Sequence, residues 1–599
     1  MTVDRARKQL ALAAVLFAAG VLVLNPVPSF AQAYEQVAPK QPKPEKPGTV
    51  TAPAEKPAAP EPAKNPQLLP ALKGLRFIGS IKALVREGVS EPGISVGPGL
   101  PLLDDTQIQS KLSAFLDKPL HAHDLSRISQ TILDWYRAHD LPVVDVTFPE
   151  QDINSGTVQA VVTVYRLGKV EVSGNQWFSS DVLKDEMQVR PGDQLDFAAL
   201  KDDLNRLNRN PFRRVNAVLE RGQTPGDTNV ALHVQDRLPL RVFASFDNDG
   251  LPSTGRDRYS AGFNWGNVFG LDQQFSYQFI TSPDLWRTRN RGAGHSNDPR
   301  FTAHSASYLA PLPWWGDTLS VFGTYVEQVP DLGPNFDQVG HSVQLSLRYA
   351  RHLPAIGALS QQIQFGFDYK RTDNDLDFGG TNIFASSTNV EQFLAIYGAT
   401  LPDAWGQTAI ENQLIFSPGG LSDGNTTAVF LASGVNGARA NYIYDNLQIT
   451  RVTLLPWHMT SVVRFNGQLA SAELLPSEQL GAGGPSSVRG YNTRVVNGSQ
   501  GVLVSGELRS PSYNPLQRLG VPVKDSGQLL VFYDAGFVSN LHTQQSQPRH
   551  ATLQSAGVGA RYSIDRYLDV RCDYGWQLTK APGATSTGSL ASVSVSLSY

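Results

Sequence analysis

Two residues of opposite charge stand out for chemistry that makes and breaks no covalent bond. Arg489 lies in a long glycine-rich insertion, LGAGGPSSVRGYNTRVVNGSQG, with Gly490 beside it to let the chain turn sharply. Asp534 lies in VFYDAG, on an alternating stretch where Leu530, Phe532 and Asp534 share one face and Leu529, Val531 and Tyr533 the other. A guanidinium withdrawn from bulk water needs an anionic partner, and its fork of N–H donors matches a carboxylate two-to-two. The residues alone leave two readings open. Arg489 and Asp534 form a specific pair, or both simply join a charged lining.

Covalent chemistry finds no foothold. The eleven histidines are scattered, and neither HExxH nor GxSxG occurs. His121 and His123 beside Asp124 read as the start of a helix. The one cysteine, Cys572, rules out a disulfide framework and a CxxC metal site. No GxxxxGK[ST] loop is present to cradle a nucleotide. A formal charge of -3 does not mark a nucleic-acid binder. We expect no enzyme, no metal and no cofactor.

The elements that must position Arg489 and Asp534 follow from the order of the chain. Residues 1–33 have the parts of a secretory signal peptide: Arg5, Arg7 and Lys8, an apolar core from Leu10 to Leu24, and Ala31-Gln32-Ala33 as the cleavage pattern. The other reading is a single anchor helix. Residues 34–74 hold ten of the forty prolines and read as an extended linker. No convincing apolar stripe precedes Leu68.

Residues 75–166 read as a small α/β module. Asp104 or Asp105 can cap a helix carrying Ile108, Leu112, Phe115 and Leu116, and a second helix starts near Asp124. Val143–Phe148 and Val158–Tyr165 alternate as strands do. The pattern recurs over 167–238, with Ser179 or Ser180 and then Asp196 opening two helices, followed by strands at Val215–Arg221 and Asn229–Gln235. The texture changes at 239. Stretches of about ten residues alternate apolar and polar up to Tyr599, separated by turn-rich loops, as a transmembrane barrel requires. Candidate strands begin near 239, 257, 272, 301, 316, 340, 360, 388, 407, 437, 458, 501, 527, 553, 567 and 591. About sixteen antiparallel strands are therefore expected, with the long insertions 282–299, 417–438 and 474–500 on the extracellular side. The fold class is α+β modules of βααββ type in tandem, then an all-β barrel.

These segments resemble a known family. FPEQDINSG, with Pro149, Gln151, Asp152 and Gly156, is similar to the end of a polypeptide-transport-associated (POTRA) domain in two-partner secretion transporters. VSGNQWFSSDVLKDEM and NRNPFRRVNAVLERG in the second module resemble the same family. Val488-Arg489-Gly490-Tyr491 matches the VRG[FY] signature of the outer-membrane assembly and secretion superfamily, and Phe532, Asp534 and Gly536 match its strand motif. Tyr599 stands at the terminal position of the barrel-insertion signal, where phenylalanine is commoner. The Pro149–Gly156 motif reads as structural rather than substrate-binding.

The resemblance, covering Leu75 to the end, implies ShlB/FhaC/HecB-type haemolysin secretion/activation. The 474–500 loop would fold back into the lumen and pair Arg489 with Asp534. The partners implied are an unfolded secreted client with an N-terminal secretion domain, outer-membrane lipid, and the barrel assembly machinery for the chain's own insertion, with no nucleic acid. The location implied is the outer membrane with POTRA domains in the periplasm. An assembly factor that inserts other barrels shares the VRGY loop, although its POTRA count is usually larger. A passive porin would leave two tandem POTRA domains unexplained.

Overall fold

The computed structural model describes residues 37–42, 48–51, 65–141, 143–224, 226–286, 299–312, 316–330, 336–378, 381–543 and 548–599. The signal peptide expected at 1–33 lies outside them. The chain divides into two compact units, one of residues 45–238 and one of residues 1–44 with 239–599.

Within the first unit, two mixed sheets each carry two helices. In the first module a four-stranded sheet runs in the order Gly93–Val96, Gly74–Ile78, Thr157–Val164, Val144–Thr147. The helices Thr106–Ser113 and Ala122–Ala138 bury Ile108, Leu112, Ile128 and Ile132 against Leu75, Phe77 and Val158. Asp105 caps the first helix by accepting from the Gln107 amide at 2.7 Å. The second helix begins two residues before the Asp124 start read from sequence, because Asp124 reaches back to accept the His121 amide at 2.9 Å. The strand Gly93–Val96 was not expected. It is short and lacks alternation, so nothing in its pattern announces it.

The structure describes three stretches of the segment expected as a linker, residues 37–42, 48–51 and 65–74. Leu69 and Leu72 are buried in the first module's core, since their apolar surface gains more from packing than from an extended chain. Residues Val50–Thr51 form a strand added in parallel to Arg213–Arg221, with Val50 opposite Ala217. The Ala217 amide donates to the Thr49 carbonyl at 2.9 Å. Gly48 is needed there: a Cβ on it would lie 2.0 Å from the Val215 carbonyl oxygen.

In the second module Ser179 and Asp196 cap Ser180–Asp185 and Phe197–Leu207. Asp203 is fully buried and accepts from the amides of Gln188 (2.9 Å) and Val189 (3.0 Å) and from Arg206 (2.9 Å). Asp203→Ala would strand these donors, at about 1–3 kcal/mol for each buried group left unpaired. Protease cleavage within 167–238 is expected at lower temperature than in wild type, and an unchanged cleavage temperature would refute the assignment.

The second unit is a closed barrel of sixteen strands, all neighbours antiparallel and in sequence order. The strands start at 240, 258, 273, 301, 317, 336, 359, 381, 406, 442, 460, 500, 525, 550, 568 and 589. The sixth, eighth and tenth differ most from the alternation reading. The sixth and eighth run on past the apolar stripe that a bilayer imposes, so they start earlier than expected, while the tenth starts later, at Tyr442. Closure is made by the first strand, Leu240–Asp247, against the last, Ser589–Ser598, in the register Phe243 opposite Ser598 to Asp247 opposite Ser594. Tyr599 extends this seam, donating its amide to the Val242 carbonyl at 3.0 Å.

Alternation separates the two faces as a bilayer demands. On the thirteenth strand Leu529, Val531 and Tyr533 are about half exposed or more, whereas Leu530, Phe532 and Asp534 are buried. Among the described residues no helix is long and apolar enough to cross a membrane. The crossing is made by strands, whose closed ladder leaves no backbone edge in hydrocarbon.

Candidate functional site: the loop inside the barrel

The segment between the eleventh strand (Thr460–Ala470) and the twelfth (Gln500–Arg509) does not stand outside the barrel. It turns inward and pairs with itself through Leu480–Ala482 and Val496–Gly498. Its tip meets the inner wall. Arg489 Nε donates to Asp534 Oδ2 and Nη2 to Asp534 Oδ1, both at 2.8 Å, and the Arg489 amide adds a third bond to Oδ2 at 3.0 Å. The remaining nitrogen, Nη1, donates to Glu507 Oε1 at 2.9 Å, and Nη2 has a second acceptor in Ser505 Oγ at 3.2 Å. The guanidinium carbon lies over the Phe532 ring, 3.6 Å from its centroid.

Charge arithmetic explains why an arginine can be buried here. Asp534 is fully buried, and Glu507 and Asp573 lie within reach of the same guanidinium. Burial disfavours the Arg489 cation, but the bond and charge of Asp534, then Glu507 and Asp573, outweigh it and raise its pKa above the ordinary arginine value. Arg464 and Arg509 share Glu507, and Arg561 pairs with Asp573 through two bonds of 2.9 Å. The cluster is thus an alternating network in which every carboxylate has a cation.

The other motif residues set the fit. Gly490 has φ +86°, and a Cβ there would lie 2.8 Å from the Gly575 carbonyl oxygen. Tyr491 is buried and sends its hydroxyl between the carbonyls of Gln554 (2.8 Å) and Thr579 (2.5 Å). Val488 is buried against the wall at Gly536, where a Cβ would come within 2.9 Å of Val488 Cγ2. Small residues on both sides bring loop and wall into backbone contact. Gly490→Ala is therefore expected to unseat the tip, combining a positive-φ penalty with a backbone clash of about 1–3 kcal/mol. Solvent access to a cysteine reporter at Ser487 should rise, and no change in labelling rate would count against this account.

A second anchor, invisible in the sequence reading, holds the descending limb of the loop to another part of the wall, the seventh, eighth and tenth strands. Lys370 Nζ donates to both oxygens of Glu478 at 2.8 and 2.9 Å, with Gln392 Nε2 and the Tyr444 hydroxyl each 2.9 Å from Oε2. Lys370 and Glu478 are almost wholly buried. Lys370 shares the buried inner face of the seventh strand with Asp368, but nothing local pairs it with Glu478. Glu507 and Asp573 were missed in the same way, since a long-range partner leaves no periodic trace.

The Pro149–Gly156 motif lies in the first module, apart from the loop. Gln151 donates to the Gln159 carbonyl at 2.7 Å and accepts the Gln159 amide at 2.8 Å, and Gly156 has φ +88°. These contacts shape the turn into Thr157–Val164. Residues 37–42, from the expected linker, lie within the barrel unit: the Lys40 amide donates to Gln278 Oε1 at 3.0 Å.

The family model described as "Haemolysin secretion/activation protein ShlB/FhaC/HecB" matches residues 226–562. The model "POTRA domain, ShlB-type" matches 97–164, and the POTRA model "Surface antigen variable number repeat" matches 165–237. The outer membrane transporter CdiB of Dickeya dadantii is 24% identical over 487 residues, covering 79% of this chain and 80% of that protein. The heme/hemopexin transporter protein HuxB of Haemophilus influenzae is 24% identical, covering 76% and 77%. The hemolysin transporter protein ShlB of Serratia marcescens is 23% identical, covering 80% and 81%. The solved structure of CdiB from Escherichia coli shares the fold at TM-score 0.70 and 15% identity, covering 91% of this chain and 93% of that one. CdiB from Acinetobacter baumannii gives 0.61 at 18%, covering 95% and 96%.

Proposed function

The chain belongs to the haemolysin secretion/activation family ShlB/FhaC/HecB and is an outer-membrane two-partner secretion transporter, and from that premise we propose how it works. The loop of residues 471–499 both closes the resting export channel and, when seated, guides the client through it, and Arg489 is the residue that seats it. The observation that carries this reading is the buried three-bond contact of Arg489 with Asp534, which ties a mobile element type, a loop, to a rigid one, a strand.

The client is a secreted protein that arrives unfolded in the periplasm and carries an N-terminal secretion domain. An extended client segment can bind a POTRA sheet edge by strand addition, which uses backbone bonds common to any sequence. The edge of Arg213–Arg221 supports this, since residues 48–51 already add a parallel strand to it. No nucleotide site supplies energy, so client folding outside drives export to completion. We further propose that the chain catalyses no covalent reaction, contacts outer-membrane lipid through its apolar belt, and reaches the membrane by the barrel assembly machinery with Tyr599 in the insertion signal.

The test is export of the cognate client in cells that carry or lack this chain, with the levels of other barrels measured in parallel. Loss of export with unchanged barrels is expected. Loss of other barrels with export intact would replace the secretion role by an assembly role. A client variant unable to fold should stall, threaded but unreleased.

A further inference from the structure

Residues 37–42 lie on the inner face of the first four barrel strands, and the way they are held is unlike the contacts of the loop. The partners of Lys40 are mostly its main-chain groups. Its amide donates to Gln278 Oε1 at 3.0 Å, and its carbonyl accepts from Asn264 Nδ2 at 3.1 Å and Arg241 Nη1 at 3.3 Å. Its ammonium adds one bond, to Ser245 Oγ at 2.7 Å. The next residue, Gln41, meets Ser276 at 3.3 Å and Ser307 at 3.5 Å. Ala38 and Gln41 each precede a proline, which disfavours the helical region and keeps the segment extended.

An extended chain inside a lumen has no neighbouring strand to satisfy its amides and carbonyls, and unpaired groups there are costly. Side-chain amides on the wall supply both a donor and an acceptor at one residue's spacing, as a sheet edge would. Gln278 and Asn264 are themselves almost fully buried and sit on adjacent strands, so they are held in place to do this.

Resting on the reading that this chain exports an unfolded client, we propose that the wall formed by Arg241, Ser245, Asn264, Ser276, Gln278 and Ser307 is the track along which the client passes. Arg241, Asn264 and Gln278 grip main-chain groups that every sequence has, the three serines meet polar side chains, and residues 37–42 show how an extended chain sits on such a wall. The client displaces these residues as it enters.

The experiment uses the full chain in cells with its client stalled by a folded C-terminal fusion. A photo-crosslinking amino acid is placed at Gln278 or, on the opposite wall, at Gln448. Crosslinks to the client are expected from 278 and not from 448, and the client residue captured should change with the length of the stalled segment. Asn264→Leu combined with Gln278→Leu, with barrel folding checked by heat-modifiable migration, should slow export severalfold. Client crosslinks from 448 but not from 278 would overturn the track while leaving export itself intact. Unchanged export in the double variant, with higher channel conductance, would also overturn it, by showing that the wall holds only residues 37–42. If the unmodified wild-type chain exported no client at all, the secretion reading would fall instead.

Discussion

Arg489→Ala is expected to abolish nearly all export and to give a channel that opens far more often. The variant removes one cation from a site where Asp534 and Glu507 stay buried. Breaking one side of such a pair costs about 3–5 kcal/mol, a factor of roughly 10²–10⁴ in the ratio of seated to unseated loop. Arg489→Lys keeps the charge but not the planar fork, so it should fall between wild type and alanine. Asp534→Asn should resemble Arg489→Ala, and the two together should cost far less than their sum, because they break one contact. Planar-bilayer recordings beside export in cells read both effects. Wild-type conductance and export in Arg489→Ala would remove the gate reading.

The second large effect is expected at the second anchor. Lys370→Met leaves Glu478 buried with only the neutral donors Gln392 and Tyr444. The uncompensated carboxylate should cost about 3–5 kcal/mol and loosen the descending limb while the tip stays locked. Conductance should then show a partly open level distinct from that of Arg489→Ala. Adding Glu478→Gln to Lys370→Met should restore closure, since the amide needs no cation and still accepts from Tyr444. A double variant as leaky as the single one would show that the lysine acts through packing, not charge.

The architecture was legible wherever it rests on periodicity. Alternation located sixteen strands because a bilayer on one face and water on the other impose a period of two on every span. Caps at Asp105, Ser179 and Asp196 were readable because the capping side chain and the amide it serves are neighbours in sequence. The Arg489–Asp534 contact needed more than residue chemistry. The two charges alone fitted a general lining equally well, and only the motifs in family order pointed to a pair. Lys370 and Glu478 carry no motif and remained unread. The short strand Gly93–Val96 and the edge strand Val50–Thr51 were missed because two to four residues are too few for a pattern. The path of residues 37–42 was hidden for a different reason. It depends on backbone groups, which every residue has.

The seam between the first and last strands sets the order in which this molecule can be made. Leu240–Asp247 leaves the ribosome hundreds of residues before its partner Ser589–Ser598, and Tyr599 itself supplies part of the closing ladder. Until those two strands meet in the membrane, a partly assembled sheet has two raw edges, each able to pair with any passing strand. A nonsense mutation that removes only the final strand would thus leave not a slightly smaller pore but an open ribbon. The integrity of this transporter therefore turns on the last few residues of the chain, because the ring closes only once they have reached the membrane and met the first strand.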